Sequence, residues 1–554
     1  MATSYLHPGV YVQEVSSGVH SIEGVSTSTA AFVGVADKGP VPGTILPGGQ
    51  PAQALLVNGF TEYERNFGGF RNDSFLTYAA RAFFDNGGQR LYVIRVTDAT
   101  ARRATTAALG SPPSPSAFPI AISAANEGLW GNNVWVSIDF ASDYVPSSPP
   151  NPTSFKLTVM YAATTDPTVA KRSVVEVYDG VTFADPNPSV ALPPNYVGTL
   201  VNRRSEYISI TARVTALPSL ANTQPVPLAG GLDGGVPAST GFTGAASPDG
   251  VRAGTGLHAL DSVTDVNIIA IPGIGDSATI NYAVAYCKIS RPLQDCFYVA
   301  DAGTLDPQTA RLDSGSPTVP TVTSAKAFAI NANPALDRSS GDYGALYFPW
   351  VYASDPIGTG RNPRILLPPS GFIAGIYART DASRGVFKAP AGTEAGLAGS
   401  LGPATMVGDI EQDSLNPNGV NVIRTVPGSG LVVWGARTFA SNAEWRYVPV
   451  RRMAIFLRVS IYYGIQWAVF EPNDEPLWSS LRLNIRSFML TQFRAGAFQG
   501  AKPDEAFFVK CDASTTTQQD IDNGVVNILV GFAPLKPAEF IVLKLSQKVN
   551  QPAA

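Results

Sequence analysis

GDYGALYFPWV (Gly341–Val351), PPSGFIAGIYARTDASRGVFKAP (Pro368–Pro390), LNPNGVNVIRT (Leu415–Thr425) and GLVVWGART (Gly430–Thr438) are four blocks dense in Gly, Pro, Asn and aromatic residues. Glycine supplies backbone angles that other residues avoid, and proline fixes φ. Pro368, Pro369, Ser370 and Gly371, followed by Ile373, Ile376 and Tyr377, therefore read as a rigid turn feeding a buried helix or strand. The ionisable residues of that block, Arg379, Asp381, Arg384 and Lys388, mix both signs without His or Cys. Such a set suits salt-bridged contacts better than proton transfer.

Working outward, the first hundred residues alternate in type. GVYVQEV (Gly9–Val15) is a short β-prone stretch, followed by a Ser/Gly-rich arm from Ser16 to Ser28. Ala30–Val35 reads as a buried strand. Phe75, Leu76, Ala79 and Phe83 keep helical spacing after a cap at Asn72 or Asp73, and Gly87-Gly88 ends that helix before a strand over Leu91–Val96. Strand, helix, strand is the rhythm of an α/β layer.

From about Thr100 the texture changes. Val134–Phe140, Phe155–Tyr161, Val174–Tyr178 and Tyr207–Ile210 read as short strands between turn clusters, up to the run AGGLDGG at Ala229–Gly235. Leu257–Val263 then looks helical and Val266–Ile271 is an apolar strand, so the α/β layer resumes. Helices over Pro449–Phe470 and Glu475–Phe498, with strands over Ala506–Cys511, Val525–Gly531 and Glu539–Leu545, make a third, α+β texture. The expected division is an arm at 1–28, α/β core at 29–100, an inserted β-rich domain at 101–237, α/β core again at 238–435, and a C-terminal α+β domain at 436–554. A chain of 554 residues is long enough for several cores.

The four blocks, in this order, closely resemble the signature region of contractile tail sheath proteins of bacteriophage tails, R-type pyocins and extracellular contractile injection systems. PGVYVQEV (8–15), FFDNGGQRLYVIRV (83–96), NEGLWGNNVWVSI (126–138), DVNIIAIPG (265–273) and WRYVPVRR (445–452) extend the resemblance over nearly the whole chain, most weakly in 141–195 and 236–249. It implies a structural subunit that stacks as hexameric rings around an inner tube and contracts to drive that tube through an envelope. It also implies exchange of terminal strands between subunits, carried by Val10, Tyr11 and Val12 at one end and Phe540, Ile541, Val542 and Leu543 at the other. Arg482 and Arg486, side by side on the Glu475 helix and opposite Leu477, Leu481, Ile485 and Phe488, are the expected grip on the tube. The implied partners are the chain itself, the inner tube, baseplate and terminator or cap proteins, and a sheath paralogue.

Other chemistries find little purchase. A formal charge of −4 offers no basic stripe for nucleic acid. Three cysteines, Cys287, Cys296 and Cys511, are too few for a disulfide framework and lack metal spacing. His7, His20 and His258 are the only histidines, and no G-x-S-x-G elbow accompanies them. Gly254–Ala259 matches G-x-G-x-x-A, but no strand precedes it, so a capping turn is expected instead of a dinucleotide site. Trp130, Trp135, Trp350, Trp434 and Trp445 read as core residues. No catalytic, cofactor or metal site is expected. The rival readings are a degenerate α/β hydrolase and a non-contractile surface-layer protein.

The N-terminus lacks the charged and apolar regions of a secretory signal. Arg458 and Gln466 interrupt the apolar run Met453–Phe470, which argues for a soluble helix and against membrane insertion. The expectation is assembly in the bacterial cytoplasm and action within a particle.

Overall fold

Parallel strands covered on both faces must be apolar throughout, and Ala30–Gly34, buried at all five residues, is one of them. In the computed structural model it lies inside an eight-stranded sheet. The spatial order is Gly430–Val433, Val420–Val426, Gly344–Phe348, Phe297–Asp301, Ile268–Ala270, Ala30–Gly34, Leu91–Arg95, Leu55–Val57. The six inner strands are parallel and the two outermost are antiparallel to their neighbours. Phe32 sits in register with Val93 on one side and Ala270 on the other. The structure describes residues 21–46, 49–106, 120–145, 153–162, 172–185, 187–210, 212–215, 224–311, 319–359 and 361–542. The protein is a mixed α/β molecule whose described residues fall into two compact units, Ser26–Arg452 and Val25 with its predecessors plus Met453 onward.

Within the larger unit, the Leu76–Asp85 and Ser370–Arg384 helices pack together closely. The close approach depends on two small residues. A Cβ on Gly371 would lie 2.7 Å from Ala79 Cα, and one on Gly375 would lie 2.6 Å from the Phe83 carbonyl. The PPSGFIAGIY block is thus a helix, entered through Pro369 and buried from Ser370 to Ala378. The expected cap at Asn72 or Asp73 is not used. Asp73 instead accepts two hydrogen bonds from Arg71, at 2.8 and 2.7 Å, and Ser74 Oγ, one residue further on, receives the Leu76 N–H.

Residues 120–227 build their own sheets. Ile122–Ala124 pairs with Ile208–Ile210, and Arg172–Val181, Phe155–Ala162, Val134–Phe140 and Val226–Pro227 form a four-stranded antiparallel sheet. Their apolar core, from Ala104 to Leu228, includes Trp130, Val136, Leu157 and Val201. Arg95, 1% exposed, sits beside it. Its guanidinium donates to the carbonyls of Ala36, Gly39 and Glu127 at 3.1, 2.9 and 2.8 Å, and burial pushes its pKa down to about 10. Arg71 bridges Asp73 and Asp233.

The two ends of the 101–237 segment meet, because Arg102 N–H donates to the Leu232 carbonyl at 2.9 Å. Replacing 101–237 with a short Gly/Ser bridge is therefore expected to leave a soluble, folded core. The lost Asp233 and Glu127 contacts should cost about 1–3 kcal/mol in denaturant unfolding. Insoluble protein would place this segment in the core instead.

The smaller unit contains the Glu475–Arg494 helix, the Met453–Gly464 part of the Val448–Gly464 helix, and an antiparallel pair, Phe507–Lys510 with Leu529–Phe532. Leu477, Trp478, Leu481 and Cys511 form a core with Ile465, Trp467 and Ile528 packed against it. The expected helix over Pro449–Phe470 ends at Gly464, followed by a turn at Gln466–Ala468. The base of the N-terminal arm lies along this helix. Val25 N–H donates to Ser460 Oγ at 3.1 Å, Gly24 faces Phe456, and Ile22 fills the space a side chain at Gly464 would need. Phe456, Ser460 and Gly464 are spaced four apart and so share one face.

Candidate functional site

In a doubly wound sheet the usual ligand crevice opens where strand order reverses, beyond the carboxyl ends of the strands. Here that point lies after Ala30–Gly34 and Ile268–Ala270, and side chains fill it. Phe75 packs on Gly273 so tightly that a Cβ there would approach its ring to 2.4 Å, and Trp350 meets Phe75 edge-on. Asp301, fully buried, accepts the Gly273 N–H at 3.0 Å and the N–H and hydroxyl of Ser370 at 2.8 Å each. Burial raises its pKa to about 6 against the opposing pull of those donors. Ser370 thus closes a helix start and is no nucleophile. His258, the one histidine among the described residues, bonds Asp261 and Tyr282 at 3.0 and 2.8 Å, away from Ser370's partners. Gly254–Ala259 holds a tight turn, with Gly256 at φ +53° packed on the Phe242 carbonyl.

The surfaces that remain suit joining. Phe507–Lys510 and Leu529–Phe532 pair only with each other among the described residues, so each leaves one edge unpaired. Two strands alone make a marginal sheet, and an open edge is a template for another strand. Phe540, Ile541 and Val542 stand 76%, 90% and 77% exposed and belong to no strand, so the strand expected over Glu539–Leu545 is not formed at 539–542, and its remainder lies outside the described residues. Among the described residues no strand pairs with them. Val10, Tyr11, Val12 and Leu543 lie outside the described residues.

Arg482 and Arg486 are adjacent on the Glu475–Arg494 helix, away from its buried face of Leu477, Leu481, Ile485 and Phe488. Neither is a bare cation. Arg482 donates to the Cys511 carbonyl, to Ser479 Oγ at 2.9 Å and to Glu475 at 3.2 Å, while Arg486 pairs with Asp504 at 2.9 Å. The Arg486 and Asp504 side chains are 48% and 81% exposed, so their pairing is weak and exchangeable.

Sequence reading missed one node. Arg452 grips Asp381 at 2.8 and 2.6 Å, donates to the Thr27 carbonyl at 2.9 Å, and lies 4.7 Å from the Tyr377 ring. Thr27 Oγ1 donates to the same carboxylate at 2.7 Å. The mixed charges of the ARTDASR stretch were the signal, but its partners lie 71 and 354 residues away. Of the five tryptophans expected inside, Trp130, Trp135 and Trp350 are buried, Trp445 stacks on Arg451 at 3.7 Å, and Trp434 is 37% exposed. Cys287, Cys296 and Cys511 are free and buried. Among the described residues no helix is long and apolar enough to cross a membrane.

The phage tail sheath protein central domain matches residues 249–439, and the phage tail sheath C-terminal domain matches 440–548. A prophage major tail sheath protein of Pseudomonas aeruginosa is 26% identical over 174 residues, covering 31% of this chain and 44% of that protein. The chain thus spans less than half of the curated relatives it matches. The sheath of the extracellular contractile injection system PVC, in its contracted state, shares the fold over 99% of both chains, with 22% identity and a TM-score of 0.54. A chain of the six-fold symmetrised anti-feeding prophage baseplate does so over 99% and 100%, with 22% identity and a TM-score of 0.53. The two domain matches run on from one another across more than half of the residues, over five of the eight strands of the central sheet and most of the smaller unit, and the chain belongs to the phage tail sheath family of structural proteins.

Proposed function

We propose that this chain is the sheath subunit of a contractile tail or injection particle, assembled in the bacterial cytoplasm. It stacks as hexameric rings around an inner tube and contracts to drive the tube through a target envelope. One observation carries the reading: a two-stranded sheet with open edges shares a unit with a solvent-exposed apolar segment, Phe540–Val542. Terminal strands lent by neighbours would complete such sheets, with backbone hydrogen bonds giving affinity and alternating side chains setting register. The 101–237 domain would project outward and the 436–554 domain would face the tube. A baseplate chain of the same fold supports a baseplate partner as well. Terminator or cap proteins would close the far end, and a paralogue could share the tube.

Contraction then draws on a metastable extended state. Subunits rotate as rigid bodies into denser packing while the strand links keep them joined. No cofactor is needed, since a small free-energy difference per subunit is multiplied over the whole sheath.

Negative-stain microscopy of the purified chain tests the reading. Long cogwheel-profiled tubes are expected; a small active oligomer would favour the hydrolase, and flat lattices the surface-layer protein. In full particles, replacing Arg482 and Arg486 by Glu should uncouple extended sheath from tube while isolated sheath still polymerises. Each contact would be worth about 1 kcal/mol or less, weak enough for contraction to release. Unchanged extended particles would assign that face to Glu475 and Asp504 alone.

A further inference from the structure

The loop between the two helices of the smaller unit ends in an aromatic tip. Phe470 is 103% exposed and sits at φ +72°, in the left-handed region that bulky side chains rarely occupy. Val469 beside it is 58% exposed, and Glu471 is exposed as well. The loop is held firmly on both flanks. Val469 and Glu471 N–H groups bond the carbonyls of Gln466 and Ala468 at 3.3 and 3.2 Å. Asn473 accepts from Trp478 Nε1 at 2.9 Å and donates to the Val525 carbonyl at 3.1 Å, and Asp474 caps the next helix. A strained backbone that holds an aromatic ring in water is a mark of a binding element.

The same unit has a receptive surface. On the outer face of the strand pair the Phe508 ring lies over Gly531, where a Cβ would meet it at 2.2 Å, and Lys510 stands opposite Leu529. Phe508 and Leu529 are 46% and 53% exposed. The tip is apolar with a carboxylate and the face is apolar with an ammonium, so the two are complementary in both polarity and charge. The complete exposure of Phe470 shows that it does not occupy this face within its own chain.

We infer that the Val469–Glu471 tip docks on the Phe508–Leu529 face of a second copy of this chain, with Glu471 beside Lys510. The contact joins two different patches. Head-to-tail contacts of that kind propagate, and where the rotation does not close they generate helical assemblies. The inference rests on the sheath reading and adds to strand exchange a side-chain contact that a sheath can make and break. Rigid presentation of the ring lowers the ordering cost of each new contact.

The test uses the full chain with Val469→Cys and Leu529→Cys, since all three native cysteines are buried. Mild oxidation of the assembled polymer should give a ladder of cross-linked dimers, trimers and higher species on a denaturing gel, and neither single variant should give a ladder. Separately, Glu471→Lys or Lys510→Glu should each raise the protein concentration needed for polymerisation, and the double reversal should restore it. Phe470→Ser should raise it by roughly ten-fold with unchanged thermal unfolding. A wild-type polymer whose double-cysteine variant gives no ladder overturns the contact and leaves the sheath reading standing. Self-polymerisation of Phe470→Ser like wild type, with failure only around the inner tube, overturns it by assigning the tip to the tube. A wild-type chain that forms no polymer overturns the sheath reading and this contact with it.

Discussion

Replacing Arg452 with alanine is expected to destabilise the larger unit by about 3–5 kcal/mol, the usual cost of stranding one partner of a buried ion pair. The two side chains are 5% and 4% exposed, so water cannot replace the lost guanidinium. Asp381 would keep only the Thr27 hydroxyl as a donor from this node. Thr27 would also lose the donor on its carbonyl, and Tyr377, whose hydroxyl meets that of Tyr347 at 2.7 Å, would lose the cation beside its ring. The Thr27 segment leads directly into the Ala30–Gly34 strand, so the damage should reach the sheet. Asp381→Ala should cost a similar amount, because the stranded charge is then Arg452. An apolar pair of similar volume, Arg452→Met with Asp381→Leu, should recover much of the loss, since desolvation of the native pair is avoided as well. Chemical denaturation followed by tryptophan fluorescence would read all three. A loss below about 1 kcal/mol for the single variants would place the pair among weak, water-exposed bridges.

The central sheet was legible in the sequence because its strands are covered on both faces. Ala30–Gly34, Ile268–Ala270 and Leu91–Ile94 are short apolar or aromatic runs, and no tertiary information is needed to find them. The PPSGFIAGIY block was legible as buried but not as helix or strand, since its two glycines serve helix packing, which only Ala79 and Phe83 reveal. Side-chain pairing was least legible. Asp73 looked like a cap until Arg71 claimed it, and Arg482 and Arg486 looked like a free basic face until Glu475 and Asp504 appeared beside them. Thr27 and Arg452 are 425 residues apart, beyond any local pattern. The described part of the strand expected over Glu539–Leu545, residues 539–542, is no strand for a different reason. Its continuous apolar run suits a strand buried on both faces, but strands are made by pairs, and none among the described residues pairs with Phe540–Val542.

Deleting residues 538–554 should therefore leave folding intact and assembly severely impaired. Phe540, Ile541 and Val542 belong to no core among the described residues, so their removal should not shift thermal unfolding of the monomer. If neighbours bury them, each side chain is worth about 1.5–3 kcal/mol on transfer from water. Ordering the segment takes back about 1–2 kcal/mol per residue in backbone entropy, which backbone pairing along an open edge partly offsets. A net loss of about 3 kcal/mol per link is a reasonable scale, and it corresponds to a roughly hundred-fold rise in the protein concentration needed for polymerisation. Ile541→Asp alone should reproduce much of that rise, because a charge cannot enter an apolar strand face without a partner. Deleting residues 1–15, with Val10–Val12, should act in the same way from the opposite end, while Ile22–Val25 stay packed on their helix and preserve the unit's stability. Sedimentation and electron microscopy of the three variants beside wild type would decide. Normal tubes from both truncations would remove strand exchange from the account, and unfolded protein from the 538–554 deletion would show that the segment serves its own chain after all.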